Sequence, residues 1–381
     1  MNAQKSGRAN TASVIKTFIT GTGLYVPSHV ITNAELVEAF NRYVEMTNAK
    51  QPDQTPLQTS SEAFIEKASG IKQRYVLEKR GILDPNVMHP LFEERPDTAQ
   101  SMQCEIAVSA AQEALDQAGV HADQVDAVIV ACSNLQRAYP AVAVEVQAAL
   151  GAGGYAYDMN VACSSATFGM QAACNAIQTG QAQSVLVISP EITSAHLEWR
   201  DRDCHFIFGD VCTAVLLQSE AAMVRDAEAF EVVSSKLATK FSNNIRNNFG
   251  FMNRCSPEGV GARDKTFYQQ GRKVFKEVVP MVSELLQTHI ADEDLSAEHV
   301  ARLWLHQANL SMNQLIAQRV FGREAHVDEA PVILDEFANT SSAGSVIAFH
   351  RHRADLTTGA YGFICSFGAG YSIGSLLLRK C

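Results

Sequence analysis

The chain has 381 residues, 46% of them hydrophobic and 19% charged, a composition ordinary for a globular protein long enough for two or three domains or one large layered body. Its formal net charge of −10 argues against a nucleic-acid partner, because phosphate binding requires a concentrated positive stripe, and it also disfavours docking on anionic lipid. The first 13 residues lack the apolar stretch of a secretory signal, and no segment approaches the roughly 18 apolar residues of a membrane span.

Nine cysteines form an odd set without a Cys-x-x-Cys pair. This pattern fits neither a disulfide framework nor a zinc site, and it predicts reduced thiols, most of them buried as small hydrophobic side chains. We therefore expect a cytoplasmic protein without a metal site.

Short runs rich in Val and Ile alternate with longer helical patterns, which predicts an α/β protein with a parallel sheet covered by helices. Two polar, proline-containing segments, 41–60 and 77–97, are predicted to be inserted loops or short helices on one face. Residues 125–131 and 184–189 are predicted as buried strands, and the Ala-rich stretch 164–178 as a helix packed on both sides.

A weak internal repeat relates the two parts of the chain. Three pairs of short segments occur in the same order at similar offsets: 125–134 with 300–309, 164–166 with 341–343, and 208–209 with 367–368. They predict a duplicated α/β half, joined near residues 218–230, which carry charges and no strand signal. Coincidence among similar strand–turn–helix units is the alternative explanation.

Cys163 lies where a short polar, strand-like stretch ends and the Ala-rich helix begins. A cysteine at a helix N-terminus meets unpaired backbone N–H groups and the positive end of the macrodipole, and both favour the reactive thiolate. This position predicts a nucleophile, and a buried structural cysteine is the alternative.

Two further candidates lie in the second half of the chain. His306 ends a predicted strand, where parallel α/β sheets build their sites, although a lone histidine there is more often structural. Asn339 lies between a predicted strand, 332–334, and a helix that it could equally well cap. The glycines of 365–374 would allow backbone amides to face an oxyanion. Because the repeat makes the Cys163 and Asn339 turns equivalent, we expect these residues to meet in one cleft of a pseudo-twofold body.

The motifs around these residues resemble those of the β-ketoacyl-[acyl-carrier-protein] synthase III family, over nearly the whole chain. The matching motifs are NVACSS at 160–165, HQAN at 306–309, NTSSAGS at 339–345, FGAG at 367–370, GTGLYVP at 21–27, SGIKQR at 69–74 and FGD at 208–210. Within the family, CSNLQRAYP at 132–140, NNIRNNF at 243–249 and the two inserts are most similar to the β-ketodecanoyl-[acyl-carrier-protein] synthases, a branch that extends medium-chain acyl-CoA primers.

The resemblance implies the thiolase fold, a duplicated α-β-α-β-α five-layered architecture with two pseudo-symmetric halves, here residues 13–220 and 230–381. It implies a decarboxylating condensation, in fatty acid biosynthesis, of an acyl-CoA primer of about eight carbons with malonyl-[acyl-carrier-protein]. The implied partners are acyl carrier protein, acyl-CoA and a second copy of the chain. No metal or redox cofactor is implied.

By the same resemblance, Cys163 attacks the primer thioester and carries the acyl group. His306 and Asn339 then hydrogen-bond the malonyl thioester oxygen, where negative charge grows as carbon dioxide leaves. The backbone amides of Cys163 and Ala369 form the oxyanion hole for the tetrahedral intermediate.

The implied substrate-binding residues are Phe64, Arg202, Tyr139, Phe208 and Ser345. Phe64 and Arg202 would contact the nucleotide of CoA, and Tyr139 would close the acyl pocket, in part from the partner subunit. Two positions depart from the family pattern, because Ala68 and Ser311 stand where arginines are usual.

Other classes share parts of this residue set. A thiolase would use a second cysteine near the C-terminal glycine motif, where Cys365 lies. A ketosynthase-like acyltransferase or an alkylquinolone-type synthase of secondary metabolism would differ in malonyl-dependent release of carbon dioxide. A non-catalytic partner subunit usually loses the cysteine or histidine. A papain-type hydrolase shares Cys, His and Asn but not the duplicated parallel-sheet pattern.

Overall fold

The computed structural model describes residues 15–224, 228–259 and 261–381, which form thirteen strands and ten α-helices. The strands are β1 (Thr17–Tyr25), β2 (His29–Thr32), β3 (Gln73–Val76), β4 (Ala127–Ala131), β5 (Tyr155–Met159), β6 (Ser184–Glu191), β7 (Val211–Ser219), β8 (Phe230–Ser242), β9 (Ile245–Arg246), β10 (Tyr268–Gln269), β11 (Val300–Leu305), β12 (Tyr361–Gly368) and β13 (Gly370–Lys380). The helices are α1 (Asn33–Lys50), α2 (Glu62–Ser69), α3 (Arg80–Leu83), α4 (Met102–Ala118), α5 (Val142–Leu150), α6 (Ser165–Gln178), α7 (Gly271–Asp292), α8 (Leu310–Phe321), α9 (Leu334–Phe337) and α10 (Gly344–Arg351).

Nine strands follow the hydrogen-bonded order β11-β12-β13-β8-β1-β7-β6-β4-β5, and its two sides mirror each other. Outward from the centre, each side has two antiparallel pairs and then a parallel pair, and the side that begins with β1 has one further parallel pair, β4 with β5. Between β1 and β8 the described residues form two register pairs, Phe18 with Glu231 and Ile19 with Phe230. The order therefore divides into two sheets, one from each half of the chain.

Helices α6 and α10 lie between these two sheets. Helix α6 packs against β4 and β6 of the first sheet and against β12 and β13 of the second, and its buried small residues permit this close packing on both sides. Helices α4 and α5 cover the outer face of the first sheet, and α7 and α8 cover that of the second. The predicted five-layered architecture with two pseudo-symmetric halves is therefore confirmed. The predicted helix at 164–178 corresponds to α6, and the strands predicted at 125–131 and 184–189 correspond to β4 and β6.

The sequence interpretation of 41–60 as loops or short helices is wrong for its first half. Residues 41–50 complete the 18-residue helix α1, whose start is fixed by a capping box between Thr32 and Glu35. The helix buries Leu36, Phe40 and Val44, so the polar residues that indicated a loop are its solvent face. The second insert, 77–97, does contain only the short helix α3.

The strand predicted at 332–334 is also wrong. Val332 and Ile333 belong to no strand, and Leu334 begins the short helix α9. Ile333 is nevertheless buried, and its N–H donates to Oε1 of Gln307 at 3.1 Å. Tertiary packing therefore buries this apolar run without a sheet partner. The division of the chain into 13–220 and 230–381 stays a prediction.

None of the helices in the described residues has the length and apolar character needed to cross a membrane.

Candidate active site

Cys163 occupies the turn between β5 and α6, two residues before the first helical residue. The preceding Ala162 has a φ of 48°, the left-handed region that L-residues rarely adopt, and its N–H donates to Oδ1 of Asn160 at 2.9 Å. On the other side, a Cβ placed on Gly368 would lie 2.6 Å from the Cβ of Cys163 and 3.0 Å from its Sγ. The turn is thus held with Ala162 in a left-handed conformation, and the missing side chain of Gly368 leaves room for the Cys163 thiol.

One cavity of about 550 Å³ is lined by Cys163, His306 and Asn339 together. Cys163 precedes α6, His306 directly follows β11, and Asn339 lies between α9 and α10, so the three side chains come from both halves of the chain. Much of the rest of the lining is aromatic, contributed by Phe64, Phe206, Phe208, Phe267, Phe275 and Phe367. The predicted convergence of the three residues on one cleft is confirmed.

Burial raises the pKa of the Cys163 thiol to about 11. Ser341, whose Oγ donates to Sγ at 3.5 Å, and the backbone amides of Ala369 and Cys163 pull the pKa down, while the charge of Glu191 adds to the rise. The backbone donors therefore favour the thiolate, as expected, but the loss of hydration outweighs them and the resting group is the thiol.

His306 is almost fully buried, and burial lowers the pKa of its imidazole to about 4, against an opposing backbone hydrogen bond to Ser341. The ring is therefore neutral near pH 7, with one nitrogen carrying a proton and the other free of it. Its Nδ1 has no hydrogen-bond partner among the described residues. The edge-to-face contact with Phe367, with ring centroids 5.2 Å apart, holds the imidazole in the cavity wall.

Asn339 is fixed through its backbone and its side-chain oxygen. Its N–H donates to the carbonyl oxygen of Ile207 at 2.9 Å, and its own carbonyl oxygen accepts from the N–H of Gly209 at 3.1 Å. Oδ1 accepts from the N–H of Ser341 at 2.9 Å. Because the oxygen is used in this way, the amide NH₂ is the group that Asn339 presents to a ligand.

The five implied substrate-binding residues fall in different places. Phe64 and Phe208 line the cavity, and Arg202, which does not line it, holds its guanidinium 3.9 Å from the centroid of the Phe64 ring. Tyr139 is 85% exposed and lies outside the cavity of its own chain. Ser345 is fully buried, and its Oγ is 2.7 Å from Oγ of Ser366. The structure therefore does not place Ser345 against the cavity, although the motif that contains it is close by.

Sequence reasoning missed several residues of the cavity. Ser341, which contacts the thiol, was visible only as part of a motif. Arg272 and Lys276 line the cavity from the first turns of α7, and the basic run at 272–273 followed by Lys276 was the available signal.

Ala68 and Ser311, the two positions without the usual arginines, also line the cavity. Within the described part of the chain, no group of three or more His, Cys, Asp or Glu side chains is placed to hold a metal ion.

This architecture and site define an acyltransferase of the thiolase fold. Residues 157–240 match the family model 3-oxoacyl-[acyl-carrier-protein] synthase III, and residues 290–380 match the model of its C-terminal part. The chain is 59% identical, over 90% of its length and all of the relative, to a β-ketodecanoyl-[acyl-carrier-protein] synthase of Pseudomonas aeruginosa. It is 31% identical, over 96% of its length and 99% of the relative, to a β-ketoacyl-[acyl-carrier-protein] synthase III of Granulibacter bethesdensis.

A crystal structure of 3-oxoacyl-[acyl-carrier-protein] synthase III from Aquifex aeolicus superposes with a TM-score of 0.74 at 25% identity, covering 95% of this chain and 99% of that one. The chain therefore belongs to the 3-oxoacyl-[acyl-carrier-protein] synthase III family and is an acyltransferase of that type. The predicted resemblance to the medium-chain branch is confirmed by the similarity to the Pseudomonas enzyme.

Proposed function

We propose that the chain condenses a medium-chain acyl-CoA with malonyl-[acyl-carrier-protein] to give a 3-oxoacyl-[acyl-carrier-protein] in fatty acid biosynthesis. The observation that carries this proposal is the meeting of Cys163, His306 and Asn339 in one cavity. The 59% identity to a β-ketodecanoyl synthase supports a ten-carbon product, which corresponds to an eight-carbon primer extended by two carbons from malonyl.

In the first half-reaction, Cys163 attacks the thioester carbonyl of the primer and displaces CoA. The thiol is protonated at rest, so it must lose its proton during this attack. The neutral imidazole of His306, which lines the same cavity, accepts this proton and returns it to the sulfur of the departing CoA, so that His306 is neutral again for the second half-reaction. The amides of Cys163 and Ala369, which already reach the sulfur, stabilise the tetrahedral oxyanion.

In the second half-reaction, malonyl-[acyl-carrier-protein] loses carbon dioxide, and the resulting enolate attacks the acyl group on Cys163. The new carbon–carbon bond replaces the thioester bond to Cys163, and the released sulfur takes up a proton to regenerate the thiol. The NH₂ of Asn339 and an N–H of neutral His306 donate hydrogen bonds to the thioester oxygen as its negative charge grows. A neutral imidazole serves here as a donor because burial keeps it uncharged.

The residues expected to bind CoA differ here from the usual family pattern. Phe64 with Arg202 stacked on it provides a surface for the adenine ring, and Ala68 and Ser311 leave two charge contacts unfilled. Arg272 and Lys276, which line the same cavity, supply positive charge for phosphate oxygens in their place.

The active form is a homodimer. Tyr139 is 85% exposed, as is Phe241, and β5 is the outermost strand of its sheet in the described structure. An open strand edge and exposed aromatic side chains favour a second copy of the chain as partner. Light scattering should give twice the chain mass of 41.4 kDa, and a monomer that is fully active would contradict this part of the proposal.

Separate assays of the two half-reactions test the roles of His306 and Asn339. We expect Asn339→Ala to leave acylation by acyl-CoA close to that of the wild type and to slow malonyl-dependent release of carbon dioxide by about 10²–10³-fold. His306→Ala should slow carbon dioxide release to a similar extent and should also slow acylation, because His306 is the base as well. Equal loss of both half-reactions in Asn339→Ala would contradict this division of roles.

A competition among primers of two to twelve carbons tests the substrate. We expect the eight-carbon primer to be consumed first, whereas preference for acetyl-CoA would refute the medium-chain assignment. Acyl transfer without release of carbon dioxide would point instead to an acyltransferase of secondary metabolism.

A further inference from the structure

Glu191, the last residue of β6, is a buried carboxylate that the reaction above does not use. Only 1% of the residue is exposed. None of the salt bridges among the described residues includes it. Its four hydrogen-bond donors are instead N–H and O–H groups of two serines, Ser133 and Ser342. Burial raises the pKa of this carboxyl group, and the hydrogen bonds from the two serines oppose that rise. A buried carboxyl group without an ion partner is costly to keep, so one held in this way indicates a specific role.

The first serine leads to the nucleophile. Ser133 donates its N–H to Oε1 of Glu191 at 3.0 Å and its hydroxyl to Oε2 at 2.6 Å. The carbonyl oxygen of Ser133 accepts from Nδ2 of Asn160 at 2.8 Å, and Oδ1 of Asn160 accepts from the N–H of Ala162 at 2.9 Å. Ala162 is the left-handed residue directly before Cys163. This arm therefore runs from Glu191 to the backbone that presents the thiol.

The second serine leads to the other half of the site. Ser342 donates its N–H to Oε1 of Glu191 at 3.2 Å, and its hydroxyl also donates to Oε1. Its neighbour Ser341 has a φ of 51°, donates its N–H to Oδ1 of Asn339 and donates its hydroxyl to the sulfur of Cys163. This arm runs from Glu191 to the turn that carries Asn339, in the second half of the chain.

We propose that Glu191 is a positioning residue that fixes the Cys163 turn and the Asn339 turn relative to each other across the two halves of the molecule. The inference rests on the proposed function of these two turns. Both turns contain a residue with positive φ, which persists only where the surroundings enforce it, and the arms from Glu191 supply bonds that do so. The charge of the carboxylate also raises the pKa of Cys163.

The decisive variant is Glu191→Gln, which keeps the shape of the side chain. Its amide NH₂ would face the Ser133 hydroxyl if it replaced Oε2, and both serine N–H groups and the Ser342 hydroxyl if it replaced Oε1. We expect condensation to fall by about 10²-fold, the loss typical of a misplacement near 1 Å, with little change in the KM for acyl-CoA. Glu191→Asp retains the charge but shortens the side chain, and we expect it to recover part of the rate.

The pH dependence of Cys163 alkylation separates a positioning role of Glu191 from a merely structural one. Removing the negative charge should lower the pKa of Cys163, so the pH profile of its alkylation by iodoacetamide should move to lower pH in Glu191→Gln. The other titratable groups that line the cavity, His306, Asp203, Arg272 and Lys276, are unchanged in this variant. Wild-type condensation together with an unmoved alkylation profile would overturn the proposal.

The two arms can also be weakened one at a time by removing a serine hydroxyl, although the backbone N–H of that residue still donates to Glu191, and this keeps the proposal testable if Glu191→Gln does not fold. Ser133→Ala should slow acylation more than carbon dioxide release, and Ser342→Ala should do the opposite. Ser283→Ala is the matched control, because among the described residues this buried hydroxyl bonds only within α7, to the carbonyl oxygen of Val279 at 2.8 Å. Equal effects of the two variants on both half-reactions would refute the separate arms. A wild-type chain that never forms an acyl-enzyme would refute the proposed function itself.

Discussion

The close approach of Gly368 to the nucleophile allows a sharp prediction. In Gly368→Ala, the new Cβ would lie 2.6 Å from the Cβ of Cys163 and 3.0 Å from Sγ. Carbon atoms in contact prefer about 3.5–4.0 Å, so the turn has to move by about 1 Å. A displacement of that size near a reacting atom typically costs about 10²-fold in rate, and we expect this loss in acylation of the enzyme by octanoyl-CoA.

The assay is rapid-quench measurement of the acyl-enzyme by intact mass. Gly250→Ala is the matched control, because its backbone is extended, with a φ of 172°, and nothing lies within 4 Å of an added Cβ. Thermal unfolding of both variants checks that the fold is retained. Acylation of Gly368→Ala at the wild-type rate would show that the described fit between Gly368 and the thiol does not exist in the working enzyme.

Further predictions concern the charge of the site. Alkylation of Cys163 by iodoacetamide should keep rising with pH up to about 11, because burial raises its pKa from 9.0, and a plateau below pH 8 would mean that the resting group is a thiolate. The double variant Arg272→Ala/Lys276→Ala should raise the KM for octanoyl-CoA by about ten-fold, the cost of a lost charged hydrogen bond. Lys273→Ala, on the same helix but outside the cavity lining, should leave it unchanged, and equal effects would contradict the phosphate contact.

The layered fold and the three central residues were predictable because they depend on patterns that the sequence displays directly. Buried strands read as Val- and Ile-rich runs, and the helix between the sheets reads as an Ala-rich stretch that must pack on two sides. The repeat placed Cys163 and Asn339 in corresponding turns. The order of the motifs along the chain then indicated the family. The resemblance to that family implied catalytic roles for residues whose function the local sequence alone did not decide.

The errors arose where tertiary packing decides the outcome. The polar face of α1 looked like a loop, since its buried residues, Leu36, Phe40 and Val44, are few among charged neighbours. The run at 332–334 is apolar because it is buried, although it pairs with no strand. The raised pKa of Cys163 depends on how deeply the thiol is enclosed, and the Glu191 contacts join segments more than fifty residues apart. No local pattern encodes either property.

In the proposed reaction, Cys163 carries the acyl group between the two half-reactions. Intact mass spectrometry after incubation with octanoyl-CoA, followed by peptide mapping, tests it most directly. We expect one octanoyl group per chain, located on the peptide that contains Cys163, and none on Cys163→Ala. An octanoyl group on the Cys163→Ala variant, or on a different residue of the wild type, would contradict it.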